Sequence, residues 1–342
     1  FFFKQKTAYE IPKRDWSSDV CSSDLGVCSA VLVILVTKND QPWYLALTAS
    51  IIVGCVLGYL IGILVARLGI PSFVVTLASF LAFQGILLLL AGEGGTIRIE
   101  DKTVLAIENS NLSVSASWLF FIVVSAIYFI SGLARINSRR KAGLKTELKK
   151  LWLIKTLALI GASGLAVLTL NLERSNNPDL VSLKGIPYVV PLILAILVVG
   201  TFVLDRTAFG RHIYAVGGNA EAARRAGINV KRIRIACFMI CSGLSAIAGL
   251  IFASRQNSVS PTTGGSSTLL YAVGAAVIGG TSLFGGKGKM RDAILGGLVV
   301  AVIDNGMGLL GYAAGIKFIV TGLVLLTSAS VDAISRRGVA NS

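Results

Sequence analysis

Charge is scarce in this 342-residue chain: 14% of its residues are Asp, Glu, Lys or Arg, whereas 54% are hydrophobic. A soluble domain carries roughly a quarter charged residues, so no water-facing surface can be assembled from this composition. Histidine is scarcer still. His212 stands alone, which excludes a site built from several imidazoles. Five cysteines, Cys21, Cys28, Cys55, Cys237 and Cys241, show neither a disulfide framework nor zinc-ligand spacing. Cys237 and Cys241 lie four apart inside an apolar run and read as small packing residues. Neither a metal nor a cofactor is expected.

A phosphate-binding loop is also missing. Such a loop needs G-x-x-x-x-G-K-[ST], so that backbone amides cradle phosphate and a hydroxyl meets magnesium. Around Gly286-Lys287 the first glycine position holds Thr281 and the residue after the lysine is Gly288. The pattern fails at both ends. No nucleophile stands with a base and an orienting group, so no catalytic residue is expected and the chain reads as non-enzymatic.

What the chain has in abundance is long apolar runs. Tyr44–Ala66 and Ser72–Ala91 contain no charge at all, and each is long enough to cross roughly 30 Å of hydrocarbon at 1.5 Å per residue. Further spans are expected at Trp118–Leu133, Leu151–Leu170, Pro187–Leu204, Ile233–Ser254, Ser267–Phe284, Met290–Leu310 and Ile316–Val331. Gly26–Val36 is a shorter apolar remnant. The expected fold is all-α: a polytopic integral membrane protein with about nine transmembrane helices plus a truncated N-terminal one, solvated by a lipid bilayer.

The formal charge of +15 would suggest nucleic-acid binding in a soluble protein. Here the basic residues fall between apolar runs, with no basic domain standing apart, and nucleic acid is excluded as a partner. The segment Arg135–Lys150 holds seven basic residues against Glu147, and Asp205–Arg234 holds seven against Asp205 and Glu221. Loops rich in Lys and Arg stay on the cytoplasmic side. Two spans separate these loops, so their parity agrees. Gly92–Ser117, with Glu93, Glu100, Asp101 and Glu108 against Arg98 and Lys102, falls outside, as does the connection holding Glu173 and Asp179. Lys287, Lys289, Arg291, Arg336 and Arg337 fall inside, which places the C-terminus in the cytoplasm.

Residues Phe1–Leu25, FFFKQKTAYEIPKRDWSSDVCSSDL, read unlike anything after them. They are polar, Ser-rich and without the apolar core of a signal peptide. The string resembles the conceptual translation of sequencing-adapter DNA. It is therefore read as a non-native, disordered leader, leaving 26–342 as a single transmembrane domain, with native sequence expected upstream of Gly26.

On one span Gly54, Gly58 and Gly62 recur every four residues. Such a ridge lets two backbones approach closely, either within one subunit or between two.

Asn219–Gly227, NAEAARRAG, has the chemistry of a short, self-contained helix in a loop. Asn219 can cap its N-terminus and Gly227 can take the left-handed position beyond its C-terminus. Glu221 in the first turn and Arg224 and Arg225 in the last complement the helix dipole. Two turns are marginal alone in water, so the helix is expected to dock against something.

The wording Glu221-Ala222-Ala223, three residues, then Gly227 resembles the permeases of bacterial ATP-binding-cassette importers, whose cytoplasmic loop carries it as a coupling helix seated in a groove of the ATPase subunit. RTAFGRHIYAVGGNAEAARRAGINVKR at Arg206–Arg232, AVIGGTSLFGGKG at Ala276–Gly288 and IDNGMGLL at Ile303–Leu310 resemble ribose- and xylose-type members. The last, and a long basic loop with an extra apolar segment near Arg135–Leu172, look closer to the xylose type. The resemblance extends over essentially all of Gly26–Ser342, although the family's Asp-Leu-Ser-Val-Gly stretch is missing; Asp24-Leu25-Gly26 straddles the leader junction.

The resemblance implies a permease subunit in a bacterial plasma membrane, carrying a monosaccharide, xylose or a related pentose. Its partners would be ATPase subunits, a periplasmic or extracellular sugar-binding protein and a second permease copy. Asn219, Glu221, Ala222, Ala223, Arg224, Arg225 and Gly227 would form the coupling element. A branched-chain amino-acid permease of the same superfamily, or an ion-coupled secondary transporter, are the competing readings. For the sugar pathway the polar candidates are Gln84, Thr281, Ser282, Asp304 and Asn305. Interhelical hydrogen bonding competes for the first three. Asp304 stands fourteen residues after Met290, about 21 Å along a helix, inside the membrane or near its outer edge.

Overall fold

A computed structural model describes residues 17–92, 95–141, 149–173, 183–282 and 285–340. The start of the leader (1–16), part of the Arg135–Lys150 loop (142–148) and Asp179 lie outside the described residues. The elements run α1 Ser17–Thr37, α2 Trp43–Ala66, α3 Ser72–Ala91, β1 Ile97–Arg98, α4 Lys102–Asn109, α5 Val114–Lys141, α6 Lys149–Asn171 and α7 Val189–Arg206. They continue with α8 Ala208–Gly218, α9 Ala220–Arg225, α10 Val230–Gln256, β2 Ser258–Val259, α11 Ser266–Ile278, α12 Met290–Leu309 and α13 Ala314–Ala340.

Helix ends follow local chemistry. Pro42 and Pro71 stand immediately before α2 and α3, where a missing backbone N–H costs nothing. Gly92 at φ +68° stops α3, and left-handed Asn257 at φ 55° stops α10.

Two compact units emerge. In the first, Phe1–Val104 with Leu194–Ser342, α1, α2, α3 and α10 pack around a small apolar core of Val27, Ile61, Val65, Val75, Phe83 and Phe238. The glycine ridge of α2 lies against α10. A Cβ added at Gly54 would lie 2.5 Å from the Ser242 carbonyl oxygen, one at Gly58 2.5 Å from that of Phe238, and one at Gly62 3.0 Å from Ile235 Cα. The ridge is thus spent on a contact within the chain. A two-stranded antiparallel ribbon, Ile97 opposite Val259, ties the segment after α3 to the end of α10.

The second unit, Leu105–Ile193, is built on α5 and α6. Here glycines receive aromatic rings: Trp152 covers Gly132 and Phe121 covers Gly164, with the Phe129 and Trp152 rings 5.5 Å apart. Beyond α6 the Ser117 hydroxyl accepts the Ile186 amide at 3.1 Å.

Among the described residues, seven helices are long and apolar enough to cross a membrane: α2, α3, α7, α10, α12 and the apolar parts of α5 and α6. Three apolar stretches are shorter, Asp24–Thr37, Ser267–Ile278 and Ala314–Ser330. The span expected at Ser267–Phe284 is therefore shorter: α11 stops at Ile278, where Gly279 and Gly280 follow, the latter at φ +110°. At 13 residues α11 rises about 20 Å, less than the roughly 30 Å of hydrocarbon. At the other end, α1 begins at Ser17 and runs through Leu25 into the apolar remnant without a break. Ser17–Leu25 is thus helical where the leader reading expects disorder.

Large apolar side chains cover the outside of the helices, among them Leu89 at 83% and Leu309 at 90% exposure. Contiguous apolar surface of this kind suits lipid rather than water. Cys28 and Cys55 are free thiols, but Cys241 is disulfide-bonded. That corrects the packing role read from its spacing to Cys237.

Candidate functional site

The best-organised polar feature lies where α7 gives way to α8, α9 and α10. Thr207 begins α8: its hydroxyl accepts the Gly210 amide at 3.1 Å and donates to the Val203 carbonyl at 2.6 Å. Asn219 then serves two helices at once. Its amide closes α8 on the Ala215 carbonyl at 3.0 Å, and its Oδ1 caps α9 by accepting the amides of Glu221 and Ala222, both at 3.0 Å.

No loop separates the two helices, so α8 and α9 form an elbow with Asn219 as its corner. At the far end of α9, Gly227 adopts φ +83°; its amide donates to Arg224 O and that of Ile228 to Ala223 O, both at 3.0 Å. This paired bonding is the Schellman closure that a left-handed glycine permits.

The elbow presents one face and hides the other. Ala223 is buried, while Glu221, Ala222, Arg224, Arg225 and Gly227 are exposed. Glu221 holds Arg224 at 2.8 Å and approaches Arg225 at 3.5 Å. These pairs stand in water and add little stability; their effect is to fix a pattern of charge on an outward-facing turn. A six-residue helix with both ends satisfied and its charges outward is a rigid docking element.

Behind the elbow lies the glycine-rich turn between α11 and α12. The Tyr214 hydroxyl on α8 donates to the Gly288 carbonyl at 2.8 Å. A Cβ added at Gly217 would lie 2.8 Å from the Gly286 amide nitrogen, and one at Gly285 2.5 Å from the Gly217 carbonyl oxygen. Gly285 and Gly286 sit at φ +83° and +74°, so they supply both the space and a backbone conformation that L side chains avoid. Gly279 and Gly296 in turn press α11 against α12, with added Cβ atoms falling 1.7 Å from the carbonyl oxygens of Asp292 and Ala275.

An open cavity of about 520 Å³ adjoins this contact, lined by Asp205, Tyr214, Gly279, Lys287, Lys289 and Asp292 among others. The Asp292 carboxylate accepts the Lys289 amide at 2.8 Å and so caps α12, with Arg291 at 3.8 Å. Burial, with help from Asp205 and Asp292, raises the Tyr214 pKa. The phenol therefore stays a proton donor. The cavity mixes both signs of charge, and no group of His, Cys, Asp or Glu among the described residues could hold a metal.

The structure disperses the proposed pathway residues. Thr281 and Ser282 belong to the glycine-rich turn, where the Ser282 amide donates to Lys287 O at 3.1 Å. Gln84 is half-buried on α3, near Gly265 at the start of α11. Asp304 and Asn305 stand toward the opposite end of α12; Asp304 faces Lys317 of α13 at 3.9 Å and Asn305 is exposed. Sequence reasoning missed Tyr214 altogether. It also set aside Asp24, which is fully buried and accepts a hydrogen bond from the Ser242 hydroxyl. An aspartate directly before an apolar run was the available signal.

A family model described as the branched-chain amino acid transport system permease component matches residues 22–329. The xylose transport system permease protein XylH of Escherichia coli strain K12 is 36% identical over 317 residues, covering 92% of this chain and 77% of that protein. XylH of Haemophilus influenzae is 34% identical over 302 residues, covering 87% and 77%. The ribose import permease protein RbsC of E. coli K12 is 34% identical over 214 residues, covering 61% of this chain and 65% of that protein. No solved structure matches the chain.

Proposed function

The chain belongs to the branched-chain amino acid transport system permease family, on its ribose- and xylose-type side, and from that membership we propose that it forms the membrane pathway for xylose or a related pentose. It is a sugar permease of an ATP-binding-cassette importer, multi-pass in the inner membrane and not itself an enzyme; ATP hydrolysis resides in a separate subunit. A substrate-binding protein completes the importer. The pentose reading rests on likeness to XylH over 92% of the chain.

The observation that carries the mechanism is the doubly capped, outward-facing α9. Asn219 and Gly227 hold its ends, Ala223 seats it against the bundle, and Glu221, Ala222, Arg224 and Arg225 offer the face that the ATPase subunit grips. The basic residues of α8, α9 and the turn after α11 support a cytoplasmic position for this end, and parity supports the same side for the C-terminus. Two permease copies, each holding one ATPase subunit, complete the assembly. In this reading 26–342 is the permease domain and 205–234 its coupling loop. A hydrated sugar is met by hydroxyl- and amide-bearing side chains, which supports Gln84, Thr281, Ser282 and Asn305 as pathway residues; the carboxylate of Asp304 joins them as a hydrogen-bond acceptor on α12.

Glu221→Lys tests the coupling role, because it removes both ion pairs to Arg224 and Arg225 and places a cation at the positive end of α9. Membrane insertion stays normal, copurification of the ATPase subunit falls by about tenfold, and uptake falls with it, a change of about 1.4 kcal/mol in the contact. Unchanged uptake would sink the coupling role. Labelled xylose, ribose and leucine, offered in parallel to reconstituted vesicles, separate the pentose reading from the amino-acid reading that the family description raises. Uphill uptake with no ATPase subunit present would instead indicate an ion-coupled carrier.

A further inference from the structure

Among the described residues, close backbone contacts link the elbow to the inner ends of α11 and α12. The path starts at α9, turns at Asn219, whose backbone closes α8 and whose side chain caps α9, and continues along the last turn of α8. There Gly217 meets Gly285 and Gly286 backbone to backbone, at separations that leave no room for even a methyl group. Beyond the turn, Gly279 and Gly296 bring α11 and α12 together just as closely. Each junction is made of main-chain atoms, which cannot change rotamer to absorb a displacement. Soft side-chain interfaces dissipate motion; contacts between fixed backbones pass it on.

One side chain bolts this stack. Tyr214 reaches across 74 residues of sequence to donate its hydroxyl to Gly288 O at 2.8 Å, the carbonyl one residue before Lys289, the N-cap of α12. Glycine contacts keep the elbow and the turn from approaching further; a hydrogen bond across the junction holds them against separation. The phenol supplies that restraint. We infer that Tyr214 is a positioning residue that keeps the glycine-rich turn attached to α8, so that movement of α9 reaches the inner ends of α11 and α12 as one block. The inference rests on the coupling role proposed for α9 and adds the route by which that role acts on the pathway.

The test uses the whole importer, permease with its ATPase subunit and binding protein, in vesicles, and reads sugar moved per ATP hydrolysed. Tyr214→Phe removes a single oxygen atom. The ATPase subunit copurifies as before and hydrolysis continues, while sugar moved per ATP falls roughly fivefold, the worth of one hydrogen bond. Gly217→Ala, which forces the turn away, gives the same uncoupling. Its neighbour supplies the control: Gly218→Ala introduces the same methyl where nothing lies within 4 Å, and it leaves the ratio unchanged.

A merely structural role for Tyr214 would lower uptake and hydrolysis together and leave their ratio alone. That outcome, or a wild-type ratio in Tyr214→Phe, overturns the inference. If Glu221→Lys retains ATPase subunit and uptake, the coupling role of α9 fails first; if Glu221→Lys behaves as expected but Tyr214→Phe does not, only the transmission route fails.

Discussion

Of the seams built from glycine pressed against backbone, the one between α2 and α10 and the one between α8 and the glycine-rich turn differ in what the glycine is for. Along α2 the ridge of Gly54, Gly58 and Gly62 meets α10 with ordinary helical geometry on both sides. Space alone is required there. Where α8 meets the glycine-rich turn, Gly285 and Gly286 need positive φ as well as space, so the residue type is specified twice. The first seam joins two long apolar helices deep in the bundle and holds the fold together. The second joins short elements beside charged side chains and fixes the geometry of a docking element. A glycine demanded for space marks packing; one demanded for space and conformation marks a position that must not move.

The sharpest way to break the comparison is to overfill the first seam. In Gly58→Leu the new side chain would begin 2.5 Å from the Phe238 carbonyl oxygen and 2.8 Å from Ser242 Oγ, and neither helix can yield without moving its neighbours. We expect a loss of about 3 kcal/mol or more, seen as a large fall in membrane yield and in the detergent-solubilised melting temperature. A folded, fully stable Gly58→Leu protein would mean that α2 and α10 do not touch as described.

A smaller effect belongs to the second region. Asn219→Ala removes the oxygen that accepts the Glu221 and Ala222 amides, and loss of such a cap costs about 1 kcal/mol. The bundle does not depend on α9, so the melting temperature holds. The loss instead appears as roughly fivefold weaker ATPase-subunit binding in a titration. Equal losses of stability and binding would erase the distinction between the seams.

How much of this was legible in the sequence follows the range of the interactions concerned. The caps of α9 could be read from Asn219 and Gly227 because each acts within three residues of itself. The seven long spans could be read because uninterrupted apolar runs leave the backbone no alternative to a helix in lipid. The end of α11 could not, because Leu283 and Phe284 extend the hydropathy past a glycine pair that stops the helix. The partner of the α2 ridge stayed open, since glycine leaves no mark of what it touches. Tyr214 escaped for the same reason: a phenol in a basic loop gives no hint of a carbonyl 74 residues away.

The finest test lies at the loose end of the first seam. Going down α2 the gap opens, from 2.5 Å at Gly54 and Gly58 to 3.0 Å at Gly62, where the nearest atoms all belong to Ile235. A methyl group at Gly62 therefore asks Ile235 to shift by a few tenths of an ångström, a strain of roughly 1 kcal/mol. Alanine is also the better helix former, by roughly 1 kcal/mol over glycine, so the two effects offset. Gly62→Ala should leave the melting temperature within about 2 °C of the parent, whereas Gly58→Ala, meeting a carbonyl oxygen that cannot retreat, should lower it clearly. If Gly62→Ala proved as damaging as Gly58→Ala, the seam would be uniformly tight, and space along α2 would be as strictly specified as conformation is at Gly285 and Gly286.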